Sequence, residues 1–116
     1  MPTIQIDETK GTKKLPTHAK VVVVGGGVVG CSILFHLAKF GWKDAVLLER
    51  DELTSGSSWH AAGGIHTISS DPNISRLQSY TINLYKEIEA LSGQSVGLHQ
   101  TGCLLYTSDA ADESVC

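Results

Sequence analysis

The stretch Lys20-Val21-Val22-Val23-Val24-Gly25-Gly26-Gly27-Val28-Val29-Gly30 decides the fold. Four consecutive valines read as a buried strand, and the glycines after them follow the spacing Gly-x-Gly-x-x-Gly at Gly25, Gly27 and Gly30. Each of the three has a physical task. Gly25 lets the chain reverse, Gly27 lets backbone approach a pyrophosphate without a Cβ in the way, and Gly30 lets a helix lie close on the strand. A pyrophosphate seated there meets the free amides of the helix N-terminus.

The residues downstream extend the same unit. Apolar side chains at Val29, Ile33, Leu34, Leu37 and Phe40 recur with helical spacing over Val28 to Phe40, and Gly41 follows as a stop. Ala45-Val46-Leu47-Leu48 reads as a second strand and ends on Glu49, nineteen residues after Gly30, where a carboxylate accepts the hydroxyls of an adenosine ribose. Strand, glycines, helix and acid together predict a dinucleotide site. The glycine motif alone does not separate FAD from NAD.

Composition narrows the class of partner. The formal charge is −3, from 9 Lys plus Arg against 12 Asp plus Glu, with no basic patch for nucleic acid and no polybasic segment for an anionic membrane. A small molecule is the expected partner. Val21 to Ala38 contains no Asp, Glu, Lys or Arg and approaches the length of a membrane span. Four glycines, Ser32 and His36 dilute it, however, and the glycine spacing accounts for the run better than a bilayer does.

The cysteines, Cys31, Cys103 and Cys116, form no Cys-x-x-Cys pair, and no secretory apolar region opens the chain, so a reducing compartment is expected. Cys31, in the first turns of the helix, reads as a small packed residue rather than a reactive thiol. The leader Met1 to His18 is polar, carries Asp7 and Glu8, and lacks the arginines of an organelle transit peptide. At 116 residues the chain fits one domain, whereas a complete dinucleotide-binding enzyme normally adds a substrate domain, so a piece of a larger protein is expected.

Asp51 to Ser58 is polar and rich in Ser, Thr and Gly, a loop at the strand ends where ligands of open α/β sheets collect. Asp71-Pro72 reads as an N-cap followed by proline at the first helical position. Ile74, Leu77, Thr81, Leu84, Tyr85, Ile88 and Leu91 then share one face of an amphipathic helix of about five turns that ends at Gly93. That stripe is expected to pack as core. Leu98 and the residues after it are expected to begin another strand. The chain shows no internal repeat.

The loop Leu53-Thr54-Ser55-Gly56-Ser57-Ser58-Trp59-His60-Ala61-Ala62-Gly63-Gly64 carries the specific signal. Its small residues and hydroxyls suit phosphate and ribityl oxygens with the backbone close to the ligand. Taken with Gly25 to Gly30 and with Leu47-Leu48-Glu49-Arg50, it resembles the flavoprotein family of dimethylglycine dehydrogenase and sarcosine dehydrogenase, within the D-amino-acid-oxidase-like superfamily. The resemblance runs from about Leu15 to Gly102 and rests most on Ser57-Ser58-Trp59-His60-Ala61-Ala62-Gly63, whose histidine lies eleven residues after Glu49.

The resemblance implies FAD as cofactor. It places Val28 and Val29 beside the FAD phosphates, Glu49 and Arg50 at the adenosine ribose, and Gly56, Ser57, Ser58, Trp59, His60, Ala61, Ala62, Gly63 and Gly64 around pyrophosphate and flavin. His60 matches the histidine to which dehydrogenases of this group attach the flavin covalently; a neutral imidazole is nucleophilic enough to attack an electrophilic flavin methyl. His36, His66 and His99 carry no motif.

By the same resemblance, the reaction moves a hydride from an N-methyl carbon of a small amino acid to flavin, and a C-terminal folate domain of the long members captures the one-carbon unit with tetrahydrofolate. Residues holding the substrate lie beyond Gly102, so no catalytic residue is assigned, the electron acceptor is not specified, and no metal is called for. The runner-up readings are sarcosine dehydrogenase or another FAD-dependent amino-acid oxidase, and a non-catalytic regulatory flavoprotein like the relative that modulates a phosphatase. A bacterial cytoplasm is expected, or the mitochondrial matrix for a eukaryotic source.

Where the family pattern continues with a glycine and an alternating strand, this chain reads Cys103-Leu104-Leu105-Tyr106-Thr107-Ser108-Asp109-Ala110-Ala111-Asp112-Glu113. That string resembles the translation of a sequencing-library adapter. The expected organisation is therefore a flexible leader over 1–18, the N-terminal part of an FAD-dependent oxidoreductase domain over 19–102, and an artefactual tail over 103–116. The fold class is α/β, a truncated Rossmann-like βαβ unit followed by a loop and an amphipathic helix.

Overall fold

A computed structural model describes residues 15–103, which fall into two compact units divided after Ala61. The leader as far as residue 14 and the tail from residue 104 lie outside the described residues.

The first unit is the βαβ turn. Strand β1 is Val21–Val24, helix α1 is Val28–Lys39 and strand β2 is Ala45–Leu48. The strands pair in parallel, Val21 opposite Ala45 through Val24 opposite Leu48, which is the pairing that a crossover helix permits. Lys20 N–H donates to the Asp44 carbonyl (3.1 Å) and to its side chain (3.2 Å), and Gly25 N–H donates to the Leu48 carbonyl (2.8 Å), so the ladder is closed at both ends.

Helix α1 lies against both strands and covers Val23, which is 8% exposed, while Val22 and Val24 point away from that cover. The buried strand expected from the valine run is therefore covered on one face only, because a two-stranded sheet with one helix offers nothing to the other. Phe40 caps α1 without a left-handed residue, and Gly41, at φ 87°, makes the turn that proline or a β-branched side chain would resist. Val29, Ile33 and Phe40, expected in the packed stripe of α1, are exposed, whereas Leu34 and Leu37 are half-buried.

In the second unit, helix α2 is Pro72–Ser92. Asp71 Oδ1 accepts from Asn73 N–H (2.7 Å) and Ile74 N–H (3.1 Å), two of the four donors that a helix start leaves unsatisfied. Gly93 ends the helix in the left-handed conformation, φ 69°, with its N–H on the Glu89 carbonyl. Of the expected core stripe only Leu84 is buried; Leu77 stays 61% exposed. Periodicity marks which face can be covered, and the covering partner has to come from elsewhere. No strand forms over 98–103, since nothing among the described residues pairs with it. Among the described residues no helix is long and apolar enough to cross a membrane.

Candidate functional site

At the C-terminal ends of β1 and β2 the first unit holds a cavity of ≈ 590 Å³, within the usual range of ligand pockets. Its walls come from the glycine turn, the start of α1, the residues after β2 and the loop beyond them. Among the residues singled out in sequence, Gly25, Gly27, Val28, Val29, Gly30, Glu49, Arg50, Gly56, Ser57 and Ser58 line this one space. Trp59, His60 and Ala61 continue the same loop without lining it, and Ala62, Gly63 and Gly64 belong to the second unit.

Local backbone demands shape the floor. Gly25 has φ 107°, open to glycine and strained for any other residue. A Cβ on Gly30 would run into the Gly25 carbonyl, so the helix can approach the turn this closely only without one. A Cβ on Gly27 would lie 3.2 Å from Ser58 Oγ.

Glu49 closes the far side. Its Oε2 accepts from Gly26 N–H at 2.7 Å and its Oε1 from Asp51 N–H at 3.0 Å, which points the carboxylate into the turn and leaves each oxygen a lone pair for a hydroxyl donor. The Gly26 amide, then that of Asp51, hold the Glu49 carboxyl below its ordinary pKa against partial desolvation, and the amide and charge of Arg50 add to the effect. These donors favour the ionised form in the folded state. Their contribution to stability is therefore complete above the ordinary glutamate range and is lost as pH falls through that range toward the depressed folded value. In the full-length protein, Glu49→Gln should flatten this acid step in a plot of Tm against pH. Superimposable profiles for the two proteins would show that Glu49 is not the titrating group.

The loop is tied back onto the turn. Val28 N–H donates to Ser58 Oγ (2.8 Å), which serves a helix whose N-cap, Gly27, has no side chain to offer. Thr54 N–H donates to the Gly26 carbonyl (2.9 Å), and Trp59 N–H donates to the Thr54 carbonyl (3.0 Å). Beyond it, His60 Nδ1 donates to the Gly56 carbonyl at 2.8 Å, so a neutral ring carries its lone pair on Nε2. Cys31 is half-buried with its Sγ 3.5 Å from the Gly26 carbonyl.

The spacing rule passed over Gly26, Leu53 and Thr54. A Cβ on Gly26 would come within 2.6 Å of Leu53 Cδ2 and 3.0 Å of Glu49 Cβ, so this third glycine is required by close packing. The available signal was three adjacent glycines where the motif needs two.

These residues fit a dinucleotide. The first turn of α1 contains no acidic residue to repel a phosphate, the floor is glycine backbone, and the fixed carboxylate can only accept, as ribose hydroxyls require.

Comparison with known proteins gives concordant findings. The family described as FAD dependent oxidoreductase matches residues 20–115. Human mitochondrial dimethylglycine dehydrogenase is 48% identical over 87 residues, 75% of this chain and 10% of that protein. Human mitochondrial sarcosine dehydrogenase is 42% identical over 99 residues, 84% of this chain and 11% of that protein. The 4-methylaminobutanoate oxidase (formaldehyde-forming) of Paenarthrobacter nicotinovorans is 39% identical over 111 residues, 85% of this chain and 14% of that protein. The chain thus spans about a tenth of the length of the curated relatives it matches.

Proposed function

The chain belongs to the FAD-dependent oxidoreductase family, and on that premise we propose that its parent protein oxidises a small N-methylated amino acid of the dimethylglycine type. The single observation behind the cofactor part is the arrangement of Glu49 on the glycine turn, with Gly26 N–H between them. The substrate part rests on relatives whose names specify dimethylglycine, sarcosine and 4-methylaminobutanoate.

In this reading the glycine turn and the amide of Val29 hold the pyrophosphate, with Val28 beside it, while Glu49 and Arg50 hold the adenosine ribose. Gly56, Ser57 and Ser58 face the phosphates, and Trp59 to Gly64 lead toward the flavin. When bound, FAD supplies the two-electron acceptor for hydride from the N-methyl carbon. His60 is the covalent anchor: the Gly56 carbonyl holds the Nδ1 proton, so Nε2 is the ring atom free to bond. Residues that orient the amine, and any tetrahydrofolate site, belong to the remainder of the parent protein. A eukaryotic parent would work in mitochondria, as two of these relatives do by name, and a bacterial one in the cytoplasm.

The test uses the full-length protein. Anaerobic dimethylglycine should bleach its flavin absorbance, and acid denaturation should leave yellow chromophore on the polypeptide that His60→Ala releases. Bleaching by sarcosine but not dimethylglycine would move the substrate to the runner-up. Complete loss of flavin from the unsubstituted protein in acid would remove the covalent role from His60.

A further inference from the structure

Thr54 has φ 64°, the only positive φ outside glycine among the described residues. A β-branched residue is a poor occupant of left-handed backbone, and such an outlier persists only where its surroundings hold it. Both of its peptide groups are held. Thr54 N–H is spent on the Gly26 carbonyl and its C=O on Trp59 N–H, while Gly26 N–H is itself fixed on Glu49. The Thr54 hydroxyl has no hydrogen-bond partner among the described residues, so the hydroxyl does not explain the choice of threonine.

We propose that Thr54 is a positioning residue whose strained backbone clasps the 52–59 loop to the glycine turn and sets how readily that loop opens to admit and release the cofactor. The proposal rests on the FAD reading above and concerns the rate of exchange rather than the identity of the ligand. With the clasp closed, Ser58 reaches Val28 N–H and the loop walls the cavity; to open it, the Thr54–Gly26 and Val28–Ser58 bonds that cross to the turn must break, and the left-handed penalty is relieved as Thr54 leaves that conformation. An asparagine at this position tolerates the same backbone and removes most of the penalty, so it should hold the clasp shut. Valine keeps the β-branch and the strain and loses only the hydroxyl.

The test is made in the full-length protein carrying His60→Ala, so that flavin exchanges freely, with FAD association and release followed by flavin fluorescence. Thr54→Asn should slow association and release together by roughly three- to tenfold, with Kd unchanged, because the closed loop is stabilised equally with and without ligand. Thr54→Val should exchange flavin at the unsubstituted rates. Equal rates in the Asn protein would overturn the proposal, and so would a shift in Kd confined to the Val protein, which would assign the hydroxyl to ligand binding. Amide hydrogen exchange across 52–59 without FAD gives a second measurement, expected slower in Thr54→Asn and unchanged in Thr54→Val. If the unsubstituted protein binds no FAD, the cofactor reading has failed, and amide exchange alone then decides the loop claim.

Discussion

Gly30→Ala should abolish flavin retention in the full-length protein and lower its stability by about 3 kcal/mol or more, the upper end for overpacked interiors. The new methyl would meet the Gly25 carbonyl, which is backbone and cannot rotate aside as a side chain would. Gly25 is held as well, since its φ of 107° and its N–H bond to the Leu48 carbonyl fix the turn to the end of β2. Relief would require α1 to lift from β1, uncovering Val23. Gly27→Ala provides the contrast. Its methyl would meet only Ser58 Oγ, the movable end of a side chain, so folding should survive while FAD binding weakens. Flavin content and Tm measured on both variants separate the two effects. Normal flavin content in Gly30→Ala would mean that the turn is looser than its geometry implies.

The 116-residue chain by itself should show no cooperative unfolding transition and no amine oxidation. Val23 and Leu84 are the only buried apolar side chains among the described residues, while Val24 is 82% and Phe40 76% exposed. A parallel pair of four-residue strands with one helix leaves a sheet face and its edges uncovered, and parallel sheets are otherwise buried on both faces. Stability of a domain is a small difference between large terms, and burial this slight cannot offset the entropy of ordering the chain. Open edges and exposed valines favour association instead. A broad, concentration-dependent melt by circular dichroism is expected; one sharp, reversible transition in a monomer would contradict it.

What could be read from sequence follows the range of the physics involved. The bounds of β1 and β2, the N-cap at Asp71 and the stop at Gly93 were legible because each depends on neighbouring residues: a valine run, an Asp-Pro pair, a glycine after a periodic stretch. The site was legible where a spacing rule encodes it, at Gly25, Gly27, Gly30 and Glu49. Gly26 and Thr54 were not, since their roles arise only when residues more than twenty positions apart close hydrogen bonds across the turn. The strand expected from Leu98 does not form over 98–103, the described part of that segment, for a related reason: a strand needs a pairing partner, and none of the described residues supplies one. The exposed stripe of α2 makes the same point, because helical spacing marks an apolar face without supplying what covers it.

The central claim, that the glycine turn, Glu49 and the loop to Ser58 form an FAD site, is tested most directly by the absorption spectrum and ligand titration of the purified full-length protein. The expected result is a flavin spectrum with one FAD per chain, weakened in Glu49→Ala, which loses the charged hydrogen bonds to the ribose hydroxyls. Tight binding of NAD with no flavin absorbance would contradict it.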